Sequence, residues 1–77
     1  MVTRVLGVDP GSSATGWALI IADGNRYRVE AHGVVRARGR QRAERLADLD
    51  RRFSAMVADV APDCAAVESS FSGRNPK

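Results

Sequence analysis

The chain has 77 residues, 44% hydrophobic and 27% charged, with a formal net charge of +3. That length suits one small domain, which would bury about 60% of the surface its unfolded form exposes; no apolar run approaches the ~20 residues of a membrane-spanning helix. The single Cys64 excludes an internal disulfide and a cysteine-based metal cluster, and nothing at the N-terminus reads as a secretory leader, so a cytoplasmic setting is expected.

The first predicted element runs from Val2 to Asp9, with Val5, Leu6 and Val8 as its apolar body, and Pro10-Gly11 stops it. Burying an unpaired carboxylate is expensive, so an Asp closing so apolar a strand calls for a cation or several donors. Thr15 to Ala22 is nearly continuous apolar sequence of strand length. Asp23-Gly24-Asn25 has the chemistry of a hairpin loop. Arg26 to Val35 reads as a third strand, in which Tyr27, Val29 and Ala31 alternate with Arg28, Glu30 and His32, so that one face is solvated.

The basic stretch Arg36-Ala37-Arg38-Gly39 breaks the pattern, and Arg40 to Val60 then becomes helical. Leu46, Leu49, Phe53, Met56, Val57 and Val60 recur at spacings of three and four, giving one apolar stripe. Arg45, Asp48, Arg51 and Arg52 fall away from it, with Asp48 and Arg52 as an i,i+4 pair of favourable order. Pro62 ends the helix, and Cys64 to Glu68 reads as a fourth short strand, with Cys64 as a small buried hydrophobe.

The predicted order is therefore β-β-β-α-β: an antiparallel three-stranded meander, a crossover helix, and a fourth strand parallel to the first. Parallel partners need such a crossover. Asp9 and Glu68 then sit at the C-terminal ends of adjacent strands, which lie ~4.8 Å apart. Two such carboxylates suit hard divalent cations, Mg²⁺ or Mn²⁺, and a pair of ions there clamps the attacking and leaving oxygens of a phosphodiester displacement. The other acids fall in turns or on solvated faces. Taken alone, a strand-end Asp is more often a turn former than a ligand; its pairing with Glu68 is what favours a metal site. The fourth strand is expected at an open sheet edge, since no fifth strand follows it.

The remaining features leave alternatives open. Arg36, Arg38, Arg40, Arg42 and Arg45 crowd the start of the helix, where its dipole disfavours positive charge; they fit a solvated surface or a phosphate-contacting one. His32 reads as a surface residue without a second His to make a metal site. Ser12 and Ser13 lack a partner base.

Leu6-Gly7-Val8-Asp9-Pro10-Gly11 followed by Thr15-Gly16-Trp17 resembles the opening of the RuvC-type Holliday-junction resolvases, the crossover junction endodeoxyribonucleases. Ala66-Val67-Glu68, Phe71 and Arg74-Asn75 resemble that family's second block, and the likeness covers essentially the whole chain. The resemblance implies an α/β, RNase H-like fold, here incomplete, with residues 1–77 as the N-terminal portion of a single nuclease domain. It implies a Mg²⁺-dependent endonuclease (Mn²⁺ also serving) that resolves four-way DNA junctions by paired symmetric nicks in recombination and repair. Asp9 matches the first of the family's four acidic ligands and Glu68 the second. Phe71 matches an aromatic wedge that stacks on junction bases, and Arg74 a basic residue near the DNA backbone. The two remaining acids belong to a C-terminal helix beyond this sequence, so the chain alone is expected to be inactive. Family membership also implies a two-fold homodimer when full length, association with a branch-migration helicase complex, and no membrane.

Two other classes compete. An actin-like or sugar-kinase-like ATPase also opens with a strand, an Asp and a Gly/Ser/Thr loop, but Pro10 removes an N–H where that loop donates to phosphate. A non-catalytic, truncated DNA-binding fragment is the other.

Overall fold

The apolar runs separated by turn residues form the three strands expected of them. β1 (Val2–Asp9), β2 (Ala14–Asp23) and β3 (Arg26–Arg36) pair in order as an antiparallel meander, with Gly24-Asn25 closing the second hairpin between Asp23 and Arg26. The computed structural model describes residues 1–11 and 14–68. After β3 comes one helix, α1 (Arg42–Val60), and then β4 (Cys64–Val67), which pairs with β1 in parallel. The sheet order is β3-β2-β1-β4, so β1 is flanked by an antiparallel and a parallel neighbour. This mixed α/β sheet with its crossover helix is the incomplete RNase H-like arrangement that the resemblance implies.

The core lies between one sheet face and α1. Leu6 and Leu19 oppose each other across the β1–β2 pair, and each is 1% exposed. Val8, Ile21 and Val60 join them, with Phe53, Met56 and Val57 of the helix stripe and Trp17 and Ala31 of the sheet packed around. Fully burying one such aliphatic side chain contributes ~1.5–3 kcal/mol, and a single-sided core of this size leaves little in reserve. Leu46, at the N-terminal end of the same stripe, stays 54% exposed among the described residues.

α1 begins two residues later than its periodicity indicates, at Arg42 rather than Arg40. Glu44 Oε1 accepts the backbone N–H groups of Gln41 (2.9 Å) and Arg40 (3.1 Å), satisfying donors that a helix start leaves orphaned. Just before it, Gly39 takes φ +135°, and a Cβ there would lie 2.7 Å from Glu44 Cβ. The other end stops at Val60, where Ala61 adopts the left-handed conformation and donates to Val57 O at 2.9 Å. The Arg4 guanidinium donates to the carbonyls of Ala61 (3.1 Å) and Val60. A cation at a helix C-terminus also complements the dipole.

Three readings of individual residues are corrected. Asp48 is not on a solvated face: it is 7% exposed and packed under the β3–α1 connection. Tyr27 and Val29 are not core residues but are 72% and 58% exposed. The cause is a bulge: Leu19 pairs with Ala31 and Ile20 with Val29, leaving Glu30 as an extra residue that reverses the alternation along β3. Cys64 is exposed, because the outer edge of β4 has no neighbour among the described residues.

Candidate metal-binding and catalytic site

The geometry that brings the two strand-end carboxylates together is set by β1. Its register with β4 runs Val5↔Cys64, Leu6↔Ala65, Gly7↔Ala66 and Val8↔Val67, and Glu68 N–H donates to Val8 O at 3.0 Å. Asp9 and Glu68 are each one residue past the Val8↔Val67 pair. They share the sheet face of Gly7 and Ala66, because alternate residues of a strand point the same way.

That face is the one away from α1. Gly7, Asp9, Gly16, Ala18, Ala66 and Glu68 line an open concavity of ≈ 600 Å³. The small side chains behind the carboxylates leave the concavity open. Gly11 lies tight against the start of β2: a Cβ there would fall 2.2 Å from Ala14 O, so no larger residue fits without moving the backbone.

Asp9 and Glu68 are both exposed, so the expectation that a buried Asp9 demands a counter-charge does not hold. The ion pairs among the described residues are Arg4–Glu30, Arg28–Glu30, Arg51–Asp48 and Arg52–Asp48, and none involves Asp9 or Glu68. In kind, two carboxylates on adjacent strand ends are the hard oxygen donors that Mg²⁺ or Mn²⁺ takes. In number they fall short: among the described residues no group of three or more His, Cys, Asp or Glu is placed to hold a metal. Phe71 and Arg74 lie outside the described residues. His32 is exposed on β3, as expected.

Two supports of this geometry escaped the sequence reading. One joins β1 to the start of β4: Arg4 N–H donates to Asp63 Oδ2 and Asp63 N–H to Arg4 O, both at 2.8 Å. The signal available for it was a Pro-Asp step immediately before an apolar run. The other is Asp48, whose Oδ2 accepts from Arg52 Nε and from Arg38 N–H, both at 2.8 Å, and whose Oδ1 accepts from Arg51 at 2.6 Å. The Arg52 hydrogen bond holds the Asp48 carboxyl below its ordinary pKa. Desolvation opposes this, while Arg38 N–H and the two guanidinium charges add to it.

Family-level comparison matches residues 5–77 to the family described as "Crossover junction endodeoxyribonuclease RuvC". The chain belongs to the RuvC family. Among curated RuvC proteins, that of Acidiphilium cryptum is 47% identical over 73 residues, covering 94% of this chain and 44% of the relative. RuvC of Paramagnetospirillum magneticum is 47% identical over 74 residues, 95% of this chain and 45% of the relative. RuvC of Sphingopyxis alaskensis is 42% identical over 74 residues, 95% and 47% respectively. The chain thus spans less than half the length of these RuvC relatives.

Among solved structures, the Aquifex aeolicus PPX-GPPA enzyme aligns with TM-score 0.65 over 87% of this chain and 26% of its own. At 10% identity that likeness is one of fold alone and adds nothing to the ATPase alternative. No helix among the described residues is long and apolar enough to cross a membrane.

Proposed function

We propose that the protein carrying this sequence is a metal-dependent endonuclease that resolves four-way DNA junctions by paired symmetric nicks. Residues 1–77 are the N-terminal portion of its single nuclease domain. Membership of the RuvC family supports this reading, and the observation that carries it is the β1–β4 register, which sets Asp9 and Glu68 side by side at the mouth of an open concavity.

Asp9 and Glu68 would hold Mg²⁺, or Mn²⁺ in its place, with further acids from the remainder of the domain. A bound cation supplies Lewis acidity toward the phosphodiester and lowers the pKa of an attacking water. The two carboxylates hold negative charge on one side of the scissile phosphate. The small residues Gly7, Gly16 and Ala18 leave room for the substrate backbone to approach. Phe71 stacks on junction bases, where such stacking is worth ~1–3 kcal/mol per base, and Arg74 contacts the backbone. Paired nicks require two copies of the site related by a two-fold axis, hence a homodimer, and the RuvC resemblance adds a branch-migration helicase as partner.

The test incubates the intact protein with a synthetic mobile junction and Mg²⁺. Paired nicks are expected, with none from the Asp9→Asn variant. Absence of nicks from the parent, or unchanged nicking by the variant, refutes the assignment. The isolated 77-residue chain, holding two of the carboxylates, is expected to leave the junction uncut.

A further inference from the structure

We infer that Arg36, Arg38, Arg40, Arg42 and Arg45 form a backbone-binding track that leads nucleic-acid phosphates to the Asp9–Glu68 end of the sheet. The inference rests on the nuclease reading above and names surface contacts that reading lacks.

The register places the track. Asp9 pairs with Gly16, Gly16 with Val34, and Ala14 with Arg36, so β3 delivers Arg36 to the same end of the sheet as the carboxylates. The connection carries Arg38 and Arg40, and the first turn of α1 then brings Arg42 and Arg45 against the turn that follows Asp9. There Arg42, Arg45, Leu46 and Gly11 line a cleft of ≈ 180 Å³. The arginines therefore border the end of the sheet from its β3 edge to the β1–β2 turn.

The charge is concentrated and unspent. With five arginines against Glu44, residues 36–47 carry a net +4, leaving −1 for the rest of the chain. None of the five guanidiniums joins an ion pair among the described residues. Glu44 accepts the backbone N–H groups of Arg40 and Gln41, and among the described residues the Arg45 guanidinium donates only to the carbonyl of Arg40, at 3.1 Å. Arg36, Arg38, Arg40 and Arg42 are exposed. This charge does not serve the helix, whose N-terminal dipole it opposes.

The segment is also fixed in place. Asp48 holds the backbone N–H of Arg38 from below at 2.8 Å, and Glu44 holds the next turn. Exposed guanidiniums on a backbone held at these points suit a row of phosphates, which take their planar fork in bidentate fashion. An acidic protein would meet the same charge. The arginines share an end of the sheet with Asp9 and Glu68, whose charge would repel acidic side chains, and this favours nucleic acid.

The test measures binding of the intact protein to a fluorescent four-way junction in chelator, over a range of salt. Each phosphate contact contributes ~0.9 to the slope of log Kobs against log salt. Arg36→Gln/Arg40→Gln/Arg42→Gln is expected to lower the slope by about 2 to 3 and weaken binding at least tenfold at low salt. The corresponding triple Lys variant retains most of the slope, and Arg26→Gln/Arg28→Gln, at the opposite end of the sheet, leaves it unchanged. Circular dichroism confirms that each variant is folded. Junction binding by the parent with an unaltered slope in the triple Gln variant, or an equal loss in the Arg26/Arg28 variant, overturns the track and leaves the nuclease reading standing. No binding by the parent at any salt overturns both.

Discussion

Arg4 and Asp63, 59 residues apart, exchange a pair of hydrogen bonds, each 2.8 Å long: Arg4 N–H to Asp63 Oδ2 and Asp63 N–H to Arg4 O. This closed pair sits at the head of the β1–β4 ladder, one step before Val5↔Cys64. A slip of one residue there would turn Glu68 to the opposite face of the sheet from Asp9. The Arg4 side chain meanwhile ties down the end of α1 through the carbonyls of Val60 and Ala61 and reaches Glu30 at 3.3 Å.

Replacing the guanidinium therefore removes several charge-assisted bonds at once. Arg4→Met is expected to destabilise the protein by about 1.5–3 kcal/mol, and Arg4→Lys to recover only part of that, since an ammonium cannot span both carbonyls and Glu30. Urea denaturation of the three proteins checks this; equal midpoints for Arg4→Met and the parent would refute it.

Asp48 should make stability depend on acid. Its folded-state pKa is lowered, chiefly by the Arg52 hydrogen bond, so its contribution is fully present above the ordinary Asp value near pH ~4. That contribution disappears as pH falls through the folded-state value. Asp48→Asn is expected to melt lower than the parent at neutral pH, with the gap narrowing below about pH 4. Parallel melting curves from pH 7 to ~2 would show that the carboxylate charge is irrelevant.

Gly39 is the one position in the basic connection where a side chain is excluded twice over, by φ +135° and by Glu44 Cβ at 2.7 Å. Gly39→Ala is expected to cost about 1–3 kcal/mol and to loosen the start of α1. Faster amide exchange at Arg40 and Gln41, whose N–H groups Glu44 holds, is the matching local signature. Unaltered exchange and stability would mean the turn adapts.

Asp9 and Glu68 should be dispensable for folding. Both are exposed and neither joins an ion pair among the described residues. Asp9→Asn and Glu68→Gln are expected to stay within about 0.5 kcal/mol of the parent while abolishing Mg²⁺-dependent junction cleavage. A large loss of stability in either variant would reassign that carboxylate to the scaffold.

The juxtaposition of Asp9 with Glu68 was legible in part: a crossover helix implies a fourth strand parallel to the first, and setting the two side by side brings both acids to neighbouring strand ends, although connectivity by itself does not choose β1 over β3 as the partner of β4. Asp48 was not legible. Its pairing with Arg52 follows from helix spacing, but its burial depends on the backbone N–H of Arg38, ten residues earlier in a connection without periodicity. Tyr27 and Val29 were misplaced for a similar reason. Ala31 faces the core as the alternation indicates, but a bulge at Glu30, which no residue type announces, puts Tyr27 and Val29 on the other face.

The central place of β1 also sets an order of assembly. Its pairing with β2 joins Asp9 to Gly16, close along the chain, whereas its pairing with β4 must wait for a crossover that spans 59 residues from Arg4 to Asp63. Distant contacts form more slowly, because the closure entropy is spent before they repay it. On a growing chain the meander can thus be complete, with Asp9 in position, while Glu68 is still unplaced. Any cation that needs both carboxylates would be retained only by molecules whose crossover has closed, so its affinity doubles as a reporter of finished folding.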